Sequence, residues 1–147
     1  MTERRVILLL SGPNLNLLGQ REPEIYGRES LDDHVAAARR AAEVAGFAVE
    51  HLQSNTEGDL IDAIQAARDR CAAIVINPGA FGHYAWGLHD ALATFDGPVV
   101  ELHISNPNAR EAWRHRSVVA PVATGTIAGF GGHGYVLAIE AVRRLLG

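Results

Sequence analysis

The chain has 147 residues, of which 48% are hydrophobic and 20% charged, and its formal net charge is −4 at pH 7. This length and composition predict one domain over residues 1–147 with one core, which needs no disulfide or metal to fold. The acidic balance argues against a nucleic-acid or anionic-membrane partner, because such binding requires a basic face. A small anionic substrate remains compatible, since one pocket needs only one or two well-placed arginines.

Cysteine content and hydropathy indicate where the protein works. Cys71 is the only cysteine, so no intramolecular disulfide can form, which is typical of a reducing compartment. The apolar run Val6–Leu10 is too short for a signal peptide, and Gly12-Pro13-Asn14 interrupts it. No stretch approaches the roughly 20 apolar residues that cross a bilayer. We expect a soluble, cytoplasmic protein with no membrane partner.

Apolar runs alternate with amphipathic segments from one end of the chain to the other. The predicted strands are Val6–Leu10, Phe47–Leu52, Ala73–Ile76, Val99–Ile104 and Thr126–Ala128. The predicted helices are one capped by Ser30 that runs to about Ala45 before Gly46, then Glu57–Arg70, His83–Thr94, a short one near Ala109–Arg114, and Gly134–Leu146. Five strands separated by helices predict a parallel sheet covered on both faces. The predicted fold is a three-layer α/β sandwich with a flavodoxin-like strand order.

Ligands of such sheets bind beyond the carboxyl ends of the strands. The segments at that edge carry asparagines, histidines, a tyrosine and several arginines, a set that can hold a carboxylate, bind hydroxyls and move protons. These segments are Ser11–Tyr26, Asn77–His83, His103–Arg114 and Gly129–Gly134. The set contains no obvious nucleophile, so proton transfer is the chemistry that it favours.

Glu101 and His103 lie two residues apart at the end of a predicted strand, so their side chains point to the same face. A carboxylate in this position orients an imidazole and favours its protonated form. That arrangement suits a general acid that protonates a leaving hydroxyl. A histidine that is merely hydrogen-bonded at a strand end would show the same pattern, and the pair alone does not separate the two interpretations.

Tyr26 follows Arg21 in the long loop Leu15–Arg28, and long ordered loops often serve as lids. A tyrosine acts as a base only where cations favour its ionised form, and Arg21 or an arginine after the fourth strand meets that need. Arg110 and Arg114 are four residues apart, hence on one face if their segment is helical, where they would clamp a carboxylate. The alternatives are an aromatic plug on a surface loop and a solvated basic face.

Sequence patterns that would indicate a nucleotide, a metal or a nucleophilic serine are incomplete or absent. Gly129–Gly134 matches the G-x-G-x-x-G dinucleotide pattern, but that pattern needs a following strand and an acidic residue about 20 positions on. Only 13 residues follow Gly134. His83, His89 and His103 lack a zinc-binding spacing, and neither a Walker motif nor a G-x-S-x-G elbow is present. We therefore expect no metal and no cofactor.

Several segments together resemble one enzyme family, the type II 3-dehydroquinate dehydratases. The resemblance covers nearly the whole chain in the same order. It rests on Ser11–Gly19, Arg21-Glu22-Pro23 with Tyr26-Gly27, Asn77–Ala80, Val100–Asn106 with Ala109–Glu111, Ala123–Gly129 and Gly134-Tyr135. The resemblance implies a hydro-lyase that eliminates water from 3-dehydroquinate through an enolate to give 3-dehydroshikimate. That step belongs to the shikimate pathway of aromatic amino-acid biosynthesis and also to quinate breakdown.

The resemblance also implies catalytic roles. Tyr26 would be the base that removes a proton from the carbon next to the ketone, and Arg21 would hold it as tyrosinate and close the lid. Asn14 would stabilise the enolate through a bound water. His103, oriented by Glu101, would protonate the departing hydroxyl. None of these steps requires a cofactor.

The remaining implied residues bind the substrate or reach another subunit. Those that would hold its carboxylate and hydroxyls are Asn77, His83, Ile104, Ser105 and Arg114. Arg110 would add positive charge near the tyrosine. Asp90 would reach the site of a neighbouring subunit, because the family resemblance implies a homododecamer built from trimers.

One segment departs from the family pattern. Where the family commonly reads His-Thr-Ser and later Arg-Asp-Ala, this chain has His83-Tyr84-Ala85 and His89-Asp90-Ala91. The change removes two small hydroxyls near the predicted substrate site and one arginine near a predicted subunit contact. One rival interpretation is an inactive or repurposed relative in which the altered Tyr84–His89 segment serves assembly or another ligand. The other keeps the fold but is a nucleotide-binding or regulatory flavodoxin-like module.

Overall fold

The computed structural model describes residues 5–147, so residues 1–4 of the predicted domain lie outside the described part of the chain. Five strands alternate with helices. The strands are β1 (Val6–Ser11), β2 (Ala48–Gln53), β3 (Ala73–Asn77), β4 (Val99–His103) and β5 (Gly125–Ala128). The α-helices are α1 (Pro23–Tyr26), α2 (Leu31–Val44), α3 (Glu57–Ala67), α4 (Trp86–Ala93) and α5 (His133–Leu146). Within residues 5–147, no helix is both long and apolar enough to cross a membrane.

The five strands form one sheet in the order β2-β1-β3-β4-β5, and every neighbouring pair is parallel. The predicted three-layer architecture and flavodoxin-like order are confirmed. The order reverses between β1 and β3, where Ser11 pairs with Asn77. The connections on the two sides of this point leave in opposite directions, which opens a crevice at the carboxyl ends of the strands.

The sheet separates two apolar layers, so the prediction of one core is wrong. Ile7 and Leu9 of β1 pack on the side of α2 and α5, whereas Leu8 and Leu10 pack on the side of α3 and α4. Successive side chains of a strand point to opposite faces, so a strand covered on both faces must be apolar at every position. Burying each of these side chains contributes about 1.5–3 kcal/mol.

Helix α2 begins and ends at the predicted signals. Ser30 Oγ accepts a hydrogen bond from the Asp33 amide, and the Asp33 carboxylate accepts one from the Ser30 amide, which completes a capping box. The chain then leaves the helix at Gly46, whose φ is 86°. This helix covers the sheet beside the long loop that carries Tyr26.

The predicted helix His83–Thr94 is wrong at its start. Residues Gly79–His83 form a 3-10 turn, and α4 begins only at Trp86. The Gly82 carbonyl accepts a hydrogen bond from the Val118 amide at 2.7 Å, which takes it out of any helical ladder. His83 is consequently fixed by a long-range contact at the sheet edge.

The predicted short helix near Ala109–Arg114 is also wrong. The segment forms two 3-10 turns, Pro107–Ala109 and Ala112–His115, and Arg110 lies between them in an extended conformation. The Asn106 side chain accepts from the Asn108 amide and directs the first turn. The argument from a shared helix face therefore does not apply to Arg110 and Arg114.

Candidate active site

A cavity of about 270 Å³ lies at the carboxyl ends of β1, β3 and β4. All predicted site residues line it except Glu101 and Asp90. The lining consists of Pro13, Asn14, Leu15, Arg21, Tyr26, Asn77, Gly79, Ala80, His83, His103, Ile104, Ser105, Pro107, Arg110, Trp113 and Arg114. A larger cavity of about 470 Å³ lies at the opposite, amino end of the strands and contains none of these side chains. The smaller cavity is the candidate site, because it stands at the topological switch point.

The floor of the cavity depends on a close approach of two loops. A Cβ on Gly12 would lie 2.2 Å from the Pro78 carbonyl oxygen, so only glycine fits there. The Gly12 amide donates to the Asn77 carbonyl at 2.8 Å. Asn14 follows in a left-handed conformation with φ 67°, and its amide donates to Asn55 Oδ1 at 3.0 Å. This contact holds the loop that presents Asn14 to the cavity.

Glu101 and His103 form a hydrogen-bonded pair at the end of β4. His103 Nε2 lies 2.6 Å from Glu101 Oε2, and Glu101 is 1% exposed. Ser117 Oγ donates to the same oxygen at 2.8 Å, and Thr126 Oγ1 donates to Oε1 at 3.4 Å. Because Nε2 donates to the carboxylate, Nδ1 is the atom of the ring free to exchange a proton with a ligand.

The ionisation of Glu101 follows from these contacts. Burial raises the pKa of the Glu101 carboxyl, but hydrogen bonds from His103, Ser117 and Thr126 and the charge of His103 outweigh it, so the pKa lies below its ordinary value. Glu101 is therefore an ionised carboxylate at neutral pH, hidden behind the imidazole that faces the cavity.

Tyr26 lines the same cavity and contacts two guanidinium groups. Arg21 Cζ lies 5.0 Å from the centre of the ring, and Arg110 Cζ lies 5.3 Å from it. Arg21 belongs to the same loop as Tyr26, whereas Arg110 follows β4. Both guanidinium groups lie within cation–π distance of the ring. Arg110 thus serves the tyrosine although its segment is not helical.

Asn77 lies at the base of the cavity and is held by the hydroxyl of Tyr135. Asn77 Nδ2 donates to Tyr135 Oη at 3.2 Å, and Asn77 Oδ1 accepts from the Gly79 amide at 3.3 Å. Complete burial raises the pKa of Tyr135 to about 12 against the effect of hydrogen bonds with Asn77 and Ser11. The neutral tyrosine hydroxyl thereby orients the Asn77 amide, leaving one N–H for a ligand.

His83 is placed by contacts outside its own turn. Its Nδ1 lies 2.7 Å from the Arg116 carbonyl oxygen, so Nδ1 carries the proton and donates it there. Its ring stacks near His103, with centroids 6.5 Å apart, and meets Trp113 edge-on at 5.3 Å. The remaining nitrogen, Nε2, is left as a hydrogen-bond acceptor for a substrate hydroxyl.

Two arginines after β4 supply positive charge to the cavity. Arg110 donates to Ser105 Oγ at 2.9 Å, and Arg114 Nε lies 3.0 Å from Glu111 Oε2. Their side chains are 14% and 15% exposed. Partly buried guanidinium groups beside one acidic partner favour an anionic ligand such as a carboxylate.

Asp90 stands apart from the cavity of its own chain. It lies on α4 with its side chain 82% exposed, and His89 Nδ1 lies 3.0 Å from its Oδ1. Gly129–Gly134, a segment predicted near the site, does not line the cavity either. Instead, the Gly131 amide donates to the Ile104 carbonyl at 3.0 Å and supports the loop that does.

Three residues near the site were missed by sequence reasoning. Trp113 lines the cavity and stacks with Arg114, whose Cζ lies 4.0 Å from the ring centre. Tyr135 holds Asn77, and Ser117 holds Glu101. Trp113 immediately precedes Arg114, a predicted site residue, and this neighbouring position in the sequence could have identified it. Tyr135 and Ser117 carry no local signal, because each acts across many residues of chain.

The arrangement combines a tyrosine between cations, a carboxylate-backed imidazole and arginines for an anion. Such a site can remove a proton on one side of a ligand and deliver one on the other. Among residues 5–147, no group of three or more histidine, cysteine, aspartate or glutamate side chains has the geometry of a metal site. The side chains that line the cavity support proton-transfer chemistry.

Comparisons with known proteins agree in sequence and in structure. A 3-dehydroquinate dehydratase of Bacillus licheniformis is 53% identical over 134 residues, covering 91% of this chain and 92% of the relative. 3-Dehydroquinate dehydratase 2 of Pseudomonas aeruginosa is 54% identical over 136 residues, covering 92% of each. The type II dehydroquinase of Butyrivibrio crossotus superposes with a TM-score of 0.91 at 45% identity, covering 95% of this chain and 97% of that structure.

A more distant structure has the same fold. A 3-dehydroquinate dehydratase-like protein of Bifidobacterium longum superposes with a TM-score of 0.73 at 32% identity, covering 97% of this chain and 98% of that one. The family described as dehydroquinase class II matches residues 5–143. Since this match spans nearly the whole chain, the chain belongs to the class II dehydroquinase family.

Proposed function

We propose that this chain is a hydro-lyase that converts 3-dehydroquinate to 3-dehydroshikimate and water. Membership of the class II dehydroquinase family and relatives near 50% identity named 3-dehydroquinate dehydratase support the reaction. In a cell, this step serves the shikimate pathway and so aromatic amino-acid biosynthesis. The observation that carries the proposal is one cavity lined both by an arginine-flanked tyrosine and by a carboxylate-backed histidine.

Tyr26 is the base of the proposed reaction. Its ionised oxygen takes a proton from the carbon next to the ketone, and the electron pair of that C–H bond moves onto the ketone oxygen as an enolate. Arg21 and Arg110 place positive charge 5.0 Å and 5.3 Å from the centre of the ring. Asn14 is proposed to stabilise the enolate oxygen through a water, as a donor placed where negative charge develops.

His103 is the acid of the proposed reaction. The enolate collapses, the bond to the hydroxyl breaks, and His103 Nδ1–H gives its proton to that hydroxyl, which leaves as water. Glu101 holds the opposite nitrogen at 2.6 Å and stabilises the imidazolium until the proton is transferred. Side chains of this protein supply both the base and the acid.

Substrate binding is assigned to the polar groups between the acid and the base. Arg114 is proposed to hold the carboxylate, and Asn77 and His83 to hold hydroxyls through the N–H and the ring nitrogen left free by their protein contacts. Ile104 and Ser105 lie beside them in the cavity wall. Each assignment matches the donor or acceptor that the side chain still offers.

We extend the proposal to the organisation of the protein. Residues 1–147 would form one catalytic domain, working in the cytoplasm as a homododecamer built from trimers. The 82% exposure of the Asp90 side chain supports a role for it in the site of a neighbouring subunit. Sedimentation equilibrium at working concentration tests the assembly, and a monomer with full activity would contradict it.

The first experiment follows the rise in ultraviolet absorbance as 3-dehydroquinate becomes a conjugated enone acid. Purified protein is assayed after treatment with a chelator, with Tyr26→Phe as the matched inactive control. Turnover by the wild type alone supports the proposal. Absence of turnover from folded, assembled protein would instead favour a repurposed relative that binds another small ligand, with the altered Tyr84–His89 segment as the place to look.

A further inference from the structure

The buried carboxylate of Glu101 accepts hydrogen bonds from three side chains. One belongs to His103, the proposed acid, and the other two belong to Ser117 and Thr126. Ser117 Oγ donates to Glu101 Oε2 at 2.8 Å, the oxygen that also accepts from His103 Nε2. Thr126 Oγ1 reaches the other oxygen at 3.4 Å. Ser117 lies 16 residues further along the chain, in the segment that follows Arg116. Ser117 does not line the cavity of the candidate site.

The hydrogen bonds of Ser117 determine where its proton points. The amides of Val119 and Ala120 donate to Ser117 Oγ at 3.1 Å and 3.0 Å. A serine hydroxyl has two acceptor sites and one donor. Both acceptor sites are occupied by backbone donors, so the hydroxyl proton is available only for the carboxylate. This geometry is compatible with an ionised Glu101 and not with a proton on Oε2.

A further cavity, distinct from the candidate site, adjoins the Glu101–His103 pair. It measures about 180 Å³ and is lined by Glu101, His103, Ser117 and Thr126 among others. The titratable and charged groups that face it from neighbouring segments are His83, Arg114 and His115. Glu101 is 1% exposed, so its orientation is set by the protein groups that contact it. Ser117 and Thr126 are the groups that hold its two oxygens.

We propose that Ser117 is a positioning residue that holds Glu101 as an oriented carboxylate and thereby keeps His103 aligned for its proton transfer. The proposal rests on the proposed function for its catalytic consequence, but the contact with Glu101 can be measured without turnover. Thr126 supports the same carboxylate through its longer hydrogen bond. The segment after Arg116 is thus part of the acid half of the site.

The test compares Ser117→Ala with Ser117→Thr, which keeps the hydroxyl. We expect kcat of Ser117→Ala to fall about tenfold with KM changed less than about twofold, as for loss of one hydrogen bond to a charged group. Because the Ser117 hydrogen bond helps to lower the pKa of Glu101, its removal should move the acid limb of the kcat profile to higher pH. Ser117→Thr should restore both.

A carboxyl ¹³C titration of Glu101, assigned with Glu101→Gln, provides the readout that needs no turnover. Its midpoint should rise in Ser117→Ala and return in Ser117→Thr. A purely structural role would lower the melting temperature and leave that midpoint unchanged. If Ser117→Ala does not fold, Thr126→Val should raise the midpoint by a smaller amount.

The proposal is overturned if folded Ser117→Ala keeps the wild-type midpoint, acid limb and kcat. It is equally overturned if Ser117→Ala does not fold and Thr126→Val leaves the midpoint unchanged. Failure of the proposed function is a separate result, namely wild-type protein that does not convert 3-dehydroquinate while its Glu101 midpoint still responds to Ser117→Ala.

Discussion

The two halves of the candidate site are built in different ways. The acid half lies on the sheet, where Glu101 is 1% exposed and hydrogen-bonded to His103, Ser117 and Thr126. The base half lies on the loop before α2, where Tyr26 is flanked by two guanidinium groups and the Arg21 side chain is 37% exposed. Hydrogen bonds position the carboxylate and the imidazole of the acid half, whereas cation–π contacts with two arginines surround the tyrosine of the base half.

The difference assigns different tasks to the two halves. A hydrogen-bonded pair on a central strand keeps its geometry whether or not a substrate is present, which favours preorganised proton delivery. Tyr26 ends α1, a four-residue helix between β1 and α2, so the proposed base is carried by a connecting segment and not by the sheet. Arg110, which belongs to the segment after β4 but contacts Tyr26, links the two halves.

The largest expected effect is at the base. Tyr26→Phe should lower kcat by about 1000-fold, because it removes the proton acceptor, while KM changes little. The matched control is Tyr84→Phe, since Tyr84 is 60% exposed and outside the cavity lining. Steady-state kinetics on both variants decides the matter. Unchanged turnover in Tyr26→Phe would remove the base from this mechanism.

Replacing the proposed acid, His103, should lower kcat less than replacing the proposed base. His103→Ala should lower kcat by about 100-fold, because a hydroxyl can still leave slowly by taking its proton from water. Single-turnover measurements should show the loss in the step that releases the hydroxyl, with proton abstraction preserved. His133→Ala, at an exposed position at the start of α5, is the control. Normal turnover in His103→Ala would assign the acid to another group.

Removing the buried Tyr135 hydroxyl that holds Asn77 should weaken substrate binding more than it slows the chemical step. Tyr135→Phe removes one hydroxyl and leaves Asn77 Nδ2 without its 3.2 Å partner. We expect KM to rise about fivefold with kcat nearly unchanged, since the loss of one neutral hydrogen bond amounts to about 1 kcal/mol. Inhibition constants for a product analogue provide an independent check. An equal fall in kcat with no change in KM would contradict a binding role for Asn77.

The smallest expected effect is on stability. Because the pKa of Glu101 lies below its ordinary value, the folded protein binds fewer protons than the unfolded chain in the acid range. Glu101 therefore adds to the free energy of unfolding at pH values above the ordinary glutamate pKa. This contribution is lost as the pH falls through the lowered pKa of Glu101 in the folded protein. Urea unfolding of wild type and Glu101→Gln should differ at pH 7 and converge in acid. A constant difference would contradict an ionised, hydrogen-bonded Glu101.

The candidate site was predictable where a short-range pattern carried it. Glu101 and His103 are two residues apart, and the period of a strand is enough to place them on one face. Arg110 and Arg114 do line one cavity, but the helix on which that expectation rested is absent from the described segment. Their meeting depends instead on two turns and on the hydrogen bond from Arg110 to Ser105.

The sequence by itself determined the layered sheet, the capped helix α2 and the edge at which the polar residues gather. These features depend on alternation, continuous apolar runs and end signals that act within a few residues. Only the tertiary structure decided that Tyr135 holds Asn77, that Ser117 holds Glu101 and that Arg110 lies over Tyr26. Those contacts join segments whose spacing in the chain follows no period, so they exist only once the sheet has brought the strand ends together.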